Sequence, residues 1–250
     1  MKIIHVYNPY SLEDPKEQAR LKRAQDTRQE LLRAPDYVNC PYELNFNAHL
    51  IYRDSSMPPI EDKRKLPFLR DILARATFEA EKSADVILYT NADIILHYDF
   101  LDLIRRFFSS KLNQAAYAKR TTFNRPEKEP ISPFYPETKV EPVFYDVFLF
   151  QLGWLELNWP KIPDFVIGEE MWDTTMVALI RQEAGYPPTT NDNLGRVYLT
   201  LELPCECVLH ESHEAFWLKN RGLNSPARMY NLSLARQWFK QNQPGVPVLF

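Results

Sequence analysis

The sequence predicts an α/β fold, one domain built as a sandwich around a mostly parallel sheet. Three observations carry that prediction. Strand-like apolar runs alternate with helical patterns along the chain, as in sheets whose strands are joined through helices. The apolar run in "ADVILYT" is that of a central strand covered on both faces. No internal repeat or low-complexity linker divides the 250 residues, so 1–250 form a single domain with a C-terminal helical segment, 211–250, packed on it.

The elements follow in order. "KIIHVYNP" is apolar, β-branched and closed by proline, a buried first strand. Residues 13–34 are charged and free of glycine, which predicts a solvated helix with Leu21, Ala24, Leu31 and Leu32 inward. "YVNCPYEL" and "AHLIY" read as short extended segments. "KLPFLRDILARATFEAEKS" is the clearest helix: Pro67 suits its first turn, and Leu66, Leu69, Ile72, Leu73, Ala76 and Ala80 keep helical spacing. A further helix follows in "DFLDLIRRFFSSKL", with Leu101, Ile104, Phe107 and Phe108 inward, and then strands in "AAYAKR" and "PVFYDVFLFQ". Between those strands, Pro126, Pro130, Pro133, Pro136 and Pro142 make a long irregular loop, expected to lie over a site or at the surface. "GEEMWDTTMVALIRQEAG" is a helix bounded by Gly168 and Gly185. "RVYLTLELP" alternates as a half-exposed strand, "CECVLH" continues it, and 225–242 form a last helix with Pro226 in its first turn.

Composition narrows the function. A net charge of -3 gives no basic field for nucleic acid or anionic lipid. No apolar run approaches the ~18 residues of a membrane span, and the opening "MKIIHVYNPY" is too briefly apolar for a signal peptide. Cys40, Cys205 and Cys207 are odd in number and lack zinc-type spacing, which predicts reduced thiols and a cytoplasmic protein. Only six glycines occur, the first at Gly153, so neither a Walker loop nor a dinucleotide fingerprint can follow the first strand.

Ligands of open α/β sheets gather at the carboxyl ends of strands. Asn91-Ala92-Asp93 ends the most buried strand, and extended alternation puts Asn91 and Asp93 on one side. A carboxylate there needs a partner: Asp93 suits a hard cation and Asn91 a hydroxyl. The plainer account of the triplet is an Asx-turn in which Asp93 caps the next helix. In "HESH", His210 and His213 share a face if helical; if His210 ends a strand, it alone points into the cleft, and a surface pair is the plain alternative. Glu169, Glu170 and Asp173 open a helix, where acids also simply meet the dipole. Asp146 interrupts an apolar strand, either as a site acid or as a satisfied buried one.

The order of these motifs resembles the GT-A glycosyltransferase fold of the nucleotide-diphospho-sugar transferase superfamily, a Rossmann-like three-layer sandwich marked by Asp-X-Asp after a central strand. "IIHVYNP" resembles the strand lining the base pocket, "LPFLRDIL" with "ADVILYTNADIIL" the helix and strand leading to the motif, and "EPVFYDVFLF" the strand before the acceptor side. "IGEEMWDTTM" resembles the acidic helix start by the acceptor, and "VLHESHEAFW" a segment giving a histidine to the metal. The resemblance spans nearly the whole chain, with Asn91 standing where the family has its first Asp. It implies a UDP- or GDP-sugar donor, an unassigned acceptor and Mn²⁺ or Mg²⁺ held by Asp93 and His210, with His213 as second choice. It implies nucleotide-sugar contacts from Tyr7, Asn8, Arg70, Asp71, Asn91, Ala92, Asp93 and Arg120. For an inverting reaction it implies Glu170 as base, with Asp173 and then Asp146 behind it. One rival is a sugar nucleotidyltransferase, which needs a glycine-rich basic loop that "NPYSLEDPKEQ" does not supply. The other is a non-catalytic nucleotide-sugar or glycan-binding module of the same fold.

Overall fold

The computed structural model describes residues 1–9, 14–42, 66–123, 139–185, 203, 207–211 and 225–244, without the side chains of 139–144. "AHLIY", residues 124–138 of the proline loop, most of "RVYLTLELP", Cys205 and His213 lie outside the described residues.

Strands and helices alternate as β1 (Ile3–Tyr7), α1 (Pro15–Leu31), β2 (Tyr37–Pro41), α2 (Leu69–Thr77), β3 (Val86–Thr90), β4 (Ile94–Leu96), α3 (Asp99–Phe108), β5 (Ala115–Phe123), β6 (Lys139–Gln151), α4 (Leu152–Asn158), α5 (Trp172–Glu183), β7 (Val208–Glu211) and α6 (Pro226–Asn242). Local chemistry sets the starts of the two longest helices. The Asp14 carboxylate accepts from Lys16 N at 2.8 Å with Pro15 in the first turn, and Ser225 Oγ accepts from Arg228 N at 3.2 Å beside Pro226.

The sheet order is β2-β1-β3-β6-β5-β7-β4. β2, β1 and β3 run parallel, as do β5 and β7, but the β3–β6, β6–β5 and β7–β4 pairs are antiparallel. The expectation of a mostly parallel sheet is therefore corrected to a mixed one. The reason is visible in the connection: no helical pattern separates "AAYAKR" from "PVFYDVFLFQ", and neighbouring strands without a crossover helix pair antiparallel.

The order also bends the sheet. β3 and β4 hold the third and seventh places, ~19 Å apart in a flat sheet at ~4.8 Å per strand. Yet only Asn91-Ala92-Asp93 joins them, a reach of about 14 Å when fully extended. The sheet must curl until its far edge returns to β3, and that brings β5, β6 and β7 around the 91–93 turn.

Alternate residues feed two cores. Ile4, Val6, Ile87, Tyr89, Phe148 and Phe150 pack with α2, α4, α5 and α6, whereas Ile3, Val86, Leu88, Val147 and Leu149 pack with Leu31 and α3. A smaller cluster seats α1 on the curled edge, Ala24 against Ile95, Phe123 and Leu209. No helix of the described residues is long and apolar enough to cross a membrane.

Candidate functional site at the end of β3

The site begins where β3 runs out. Ile94 N donates to Asn91 O at 3.3 Å, turning the chain so that Asn91 stays beside β6 while Asp93 reaches β7. The Asn91 carboxamide is fixed at both ends: its oxygen accepts from the Tyr89 hydroxyl at 2.9 Å, and its nitrogen donates to Asp146 Oδ1. Asp146 Oδ2 accepts from Arg120 Nη1 at 3.0 Å. The strand interruption noted at Asp146 is thus a buried acid with two partners, and it stands within the site.

Asp93 Oδ2 lies 2.6 Å from Arg20 Nη1 and 3.3 Å from His210 Nε2. The guanidinium of Arg20 turns its other side to Glu17 Oε2, at 3.0 Å from Nε and 2.7 Å from Nη2. One turn further, Arg23 forks onto Glu211 at 2.8 and 2.5 Å. Arg28, again on this face of α1, donates to Ala92 O at 2.9 Å and Ile94 O at 3.3 Å and stacks on the Tyr7 ring at 4.1 Å. The backbone of the turn is therefore tied to α1 on both sides of Asp93. Asp93 does not cap α3, whose N-cap residue is Tyr98.

A further acid, Asp173, lies in the first turn of α5. Trp172 anchors that turn by packing edge-on against Tyr89 at 5.3 Å and tilted against Phe148 at 5.2 Å. The turn starts from two left-handed residues, Gly168 (φ 95°) and Met171 (φ 81°); the latter is a strained conformation for a side chain with a Cβ. Burial pushes the Asp173 carboxyl up to about 7, opposed by a 2.8 Å hydrogen bond from Thr174 N and reinforced by the charge of Asp146. Burial also pushes the Asp146 carboxyl above its ordinary value, with Arg120 opposing.

At the neighbouring strand ends, His5 bridges the Tyr37 hydroxyl at 2.6 Å and Thr90 Oγ1 at 2.8 Å. Burial, then the charge of Arg28, hold its imidazole well below the ordinary range, so it is neutral. The carboxamide oxygens of Asn8 and Asn39, beside Tyr7, are covered yet have no hydrogen-bond partner among the described residues.

Asn91, Ala92, Asp93, Arg120, Asp146, Asp173 and His210 are thus brought together. Tyr7 and Asn8 join them through Arg28 and the end of β1. Glu170 accepts from Arg228 Nε at 3.0 Å and Glu169 from Ser225 Oγ at 2.9 Å, so both face the start of α6. Arg70 donates to Trp159 O and its guanidinium lies over the Trp159 ring at 5.5 Å. With Asp71 it lines a separate groove of about 700 Å³ between α2 and α6 that contains none of the strand-end acids. Sequence reasoning missed Arg20, Arg28 and Asn39. The first two had a signal: Arg20, Ala24, Arg28 and Leu31, the buried residues of α1, follow one helical face.

The residues do not fit the divalent cation that the fold resemblance implies. The motif's first position is a neutral amide already held by Tyr89 and Asp146, and Oδ2 of Asp93 is taken by a guanidinium. A divalent ion on that carboxylate, ~4 Å from Arg20, would meet about 8 kcal/mol of repulsion at an effective dielectric of 20. Among the described residues, no three His, Cys, Asp or Glu side chains gather to hold a metal.

Fold and site together define an α/β protein with a largely buried cluster of arginines and carboxylates at the strand ends. No protein-family model matches the chain, and no curated protein does. Among solved structures it is similar to residues 1–349 of TarS from S. aureus in complex with UDP-GlcNAc, at 10% identity and a TM-score of 0.45, over 97% of this chain and 68% of that one. It is also similar to 2-C-methyl-D-erythritol 4-phosphate cytidylyltransferase (IspD) from Francisella tularensis, at 14% identity and a TM-score of 0.34, over 95% of this chain and 100% of that one. Likenesses with TM-scores under 0.5 carry no function across.

Proposed function

We propose that the chain is a glycosyltransferase that takes a nucleotide-diphospho-sugar donor over the ends of β1, β2 and β3. The observation that carries this reading is Asp173: a carboxyl raised to about 7, beside Asp146 and the turn that holds Asn91 and Asp93. An acid poised near neutral pH is suited to take a proton from an attacking hydroxyl. The amide oxygens of Asn8 and Asn39, without partners among the described residues, ask for N–H donors, which a nucleobase edge offers.

In this reading the acceptor oxygen attacks the anomeric carbon of the donor. Its bond to carbon forms as the bond from that carbon to the diphosphate oxygen breaks. The electron pair leaves with the diphosphate, and the hydroxyl proton passes to Asp173. Arg120, with 17% of its side chain exposed, faces the charge that builds on the leaving group. Arg28 and the Asn91 carboxamide keep the turn and Asp146 in place.

The test is release of nucleoside diphosphate from a panel of UDP- and GDP-sugars with mixed glycan acceptors. Turnover with one donor, lowered about 10²–10⁴-fold in Asp173→Asn, supports the reading. Donor binding without turnover supports a non-catalytic nucleotide-sugar module, which the arginine partners of Asp93 and Asp146 favour as second reading. A panel that neither binds nor turns over removes both.

A further inference from the structure

We infer that Arg20 takes the place of a divalent cation at Asp93, so that this site binds its anionic ligand without metal. Two carboxylates in one turn match a divalent ion. Here the turn offers one, because Asn91 is neutral, and a single guanidinium, shared with Glu17, meets it. That guanidinium is in place, 2.6 Å from Asp93 Oδ2.

The placement is built into the fold. Arg20 is 3% exposed, and Glu17 holds the opposite edge of its fork at 2.7 and 3.0 Å. A guanidinium bound on two sides has little freedom to swing away. Arg28 fixes the height of α1 against the same turn through the carbonyls of Ala92 and Ile94, and Ala24 between them packs on Ile95, Phe123 and Leu209. Moving Arg20 off Asp93 would mean moving the helix. Arg20 is thus a positioning residue: it neutralises Asp93 and sets its orientation. The identity of the anion rests on the nucleotide-sugar reading; the exclusion of metal from Asp93 does not.

The experiment has two arms. In the first, free Mn²⁺ is followed by electron paramagnetic resonance during titration with protein alone. Wild type should show no saturable site. Arg20→Met, which takes the guanidinium away from Asp93 beside His210, should gain one, and Arg20→Met with Asp93→Asn should lose it again. Arg20→Lys, which keeps the charge, should behave as wild type. A wild-type site that Asp93→Asn abolishes overturns the inference, as does a folded Arg20→Met that gains no site. Should Arg20→Met not fold, the comparison of wild type with Asp93→Asn and Arg20→Lys decides alone.

In the second arm, UDP is titrated calorimetrically into wild type with EDTA or with Mn²⁺. Affinities equal within about twofold support the inference. A tenfold or larger gain with Mn²⁺, about 1.4 kcal/mol, overturns it. Failure of UDP to bind in either buffer counts against the nucleotide-sugar reading, and the Mn²⁺ titration still decides the role of Arg20.

Discussion

Replacing Asp173 with Asn should flatten the dependence of stability on pH, and the structure gives the sign and the scale. The carboxyl rises from its ordinary 3.8 to about 7, first because burial penalises the charge and then because Asp146 adds its own. A raised acid binds its proton more tightly in the folded state. Between pH 4 and 7 the native chain therefore holds more protons than the unfolded one, and stability falls as pH rises. The contribution is whole below about 4 and gone above about 7. At about 1.4 kcal/mol per pKa unit, the ceiling is about 4 kcal/mol. Partial access of solvent to Asp173 lowers the expected loss to about 1–3 kcal/mol. Asparagine keeps an oxygen to accept from Thr174 N, so the helix start survives. Urea unfolding of wild type and Asp173→Asn at pH 4.5, 6 and 8, values chosen to span the window set by the two pKa values, measures the effect. The variant should gain stability relative to wild type as pH rises. Parallel curves for the two proteins would refute the reasoning, and with it the poised base of the proposed reaction.

Three other outcomes follow from the same contacts. Arg28→Met strands the carbonyls of Ala92 and Ile94 and removes the stack on Tyr7; a loss of about 2–4 kcal/mol is expected in chemical denaturation, with weaker UDP binding. Asp93→Asn leaves Arg20 its Glu17 partner, so a smaller loss of about 1–3 kcal/mol is expected by the same method, and unchanged stability would show that the Arg20 pair contributes nothing. Gly168→Ala forces a side chain to φ 95° with Leu66 Cδ2 at 3.2 Å; thermal unfolding should report about 1–3 kcal/mol, and no change would show that the turn before α5 tolerates a Cβ.

Much of the fold is legible in the sequence because burial leaves a periodic trace. β1 and β3 are buried at every position, and apolar at all but His5 and Thr90, because helices cover both faces of the sheet there. The inward residues Leu69, Ile72, Leu73 and Ala76 of α2 follow from spacing alone. β4 does not, since three residues give no period. Helix α1 misleads for a physical reason: its buried face is built from Arg20 and Arg28, whose charge reads as solvent-facing. Leu32, expected inward, is exposed. Arginine can line a buried face when acids or carbonyls meet its fork, and apart from Glu17, three positions from Arg20, those partners are 64 to 73 positions away. No window along the sequence contains the distant partners. Asp93 and Asp146 stand out because an acid after or within an apolar strand needs a partner; which partner it has depends on how the sheet closes.

That closure is the link between the mixed topology and the site. In a flat parallel sheet the turn after β3 would lead away toward a helix, and Asn91 and Asp93 would share one neighbourhood. Here β6 runs against β3, so Asp146, nearer the start of β6 than Phe150, which pairs with Ile87, lies beside the end of β3 and meets Asn91 there. β4 crosses to β7 instead of joining β3, so Asp93 meets His210 on the opposite side. α1 can touch that side only because the curled edge carries Ile95, Phe123 and Leu209 beneath Ala24. One neutral amide and one carboxylate, two residues apart, are thereby given separate partners: Asn91 orients an acid and Asp93 receives a cation from the helix. The antiparallel strands are what divide those two duties, and a substitution that loosened the β4–β7 pairing should disturb Asp93 while leaving the Asn91–Asp146 contact intact.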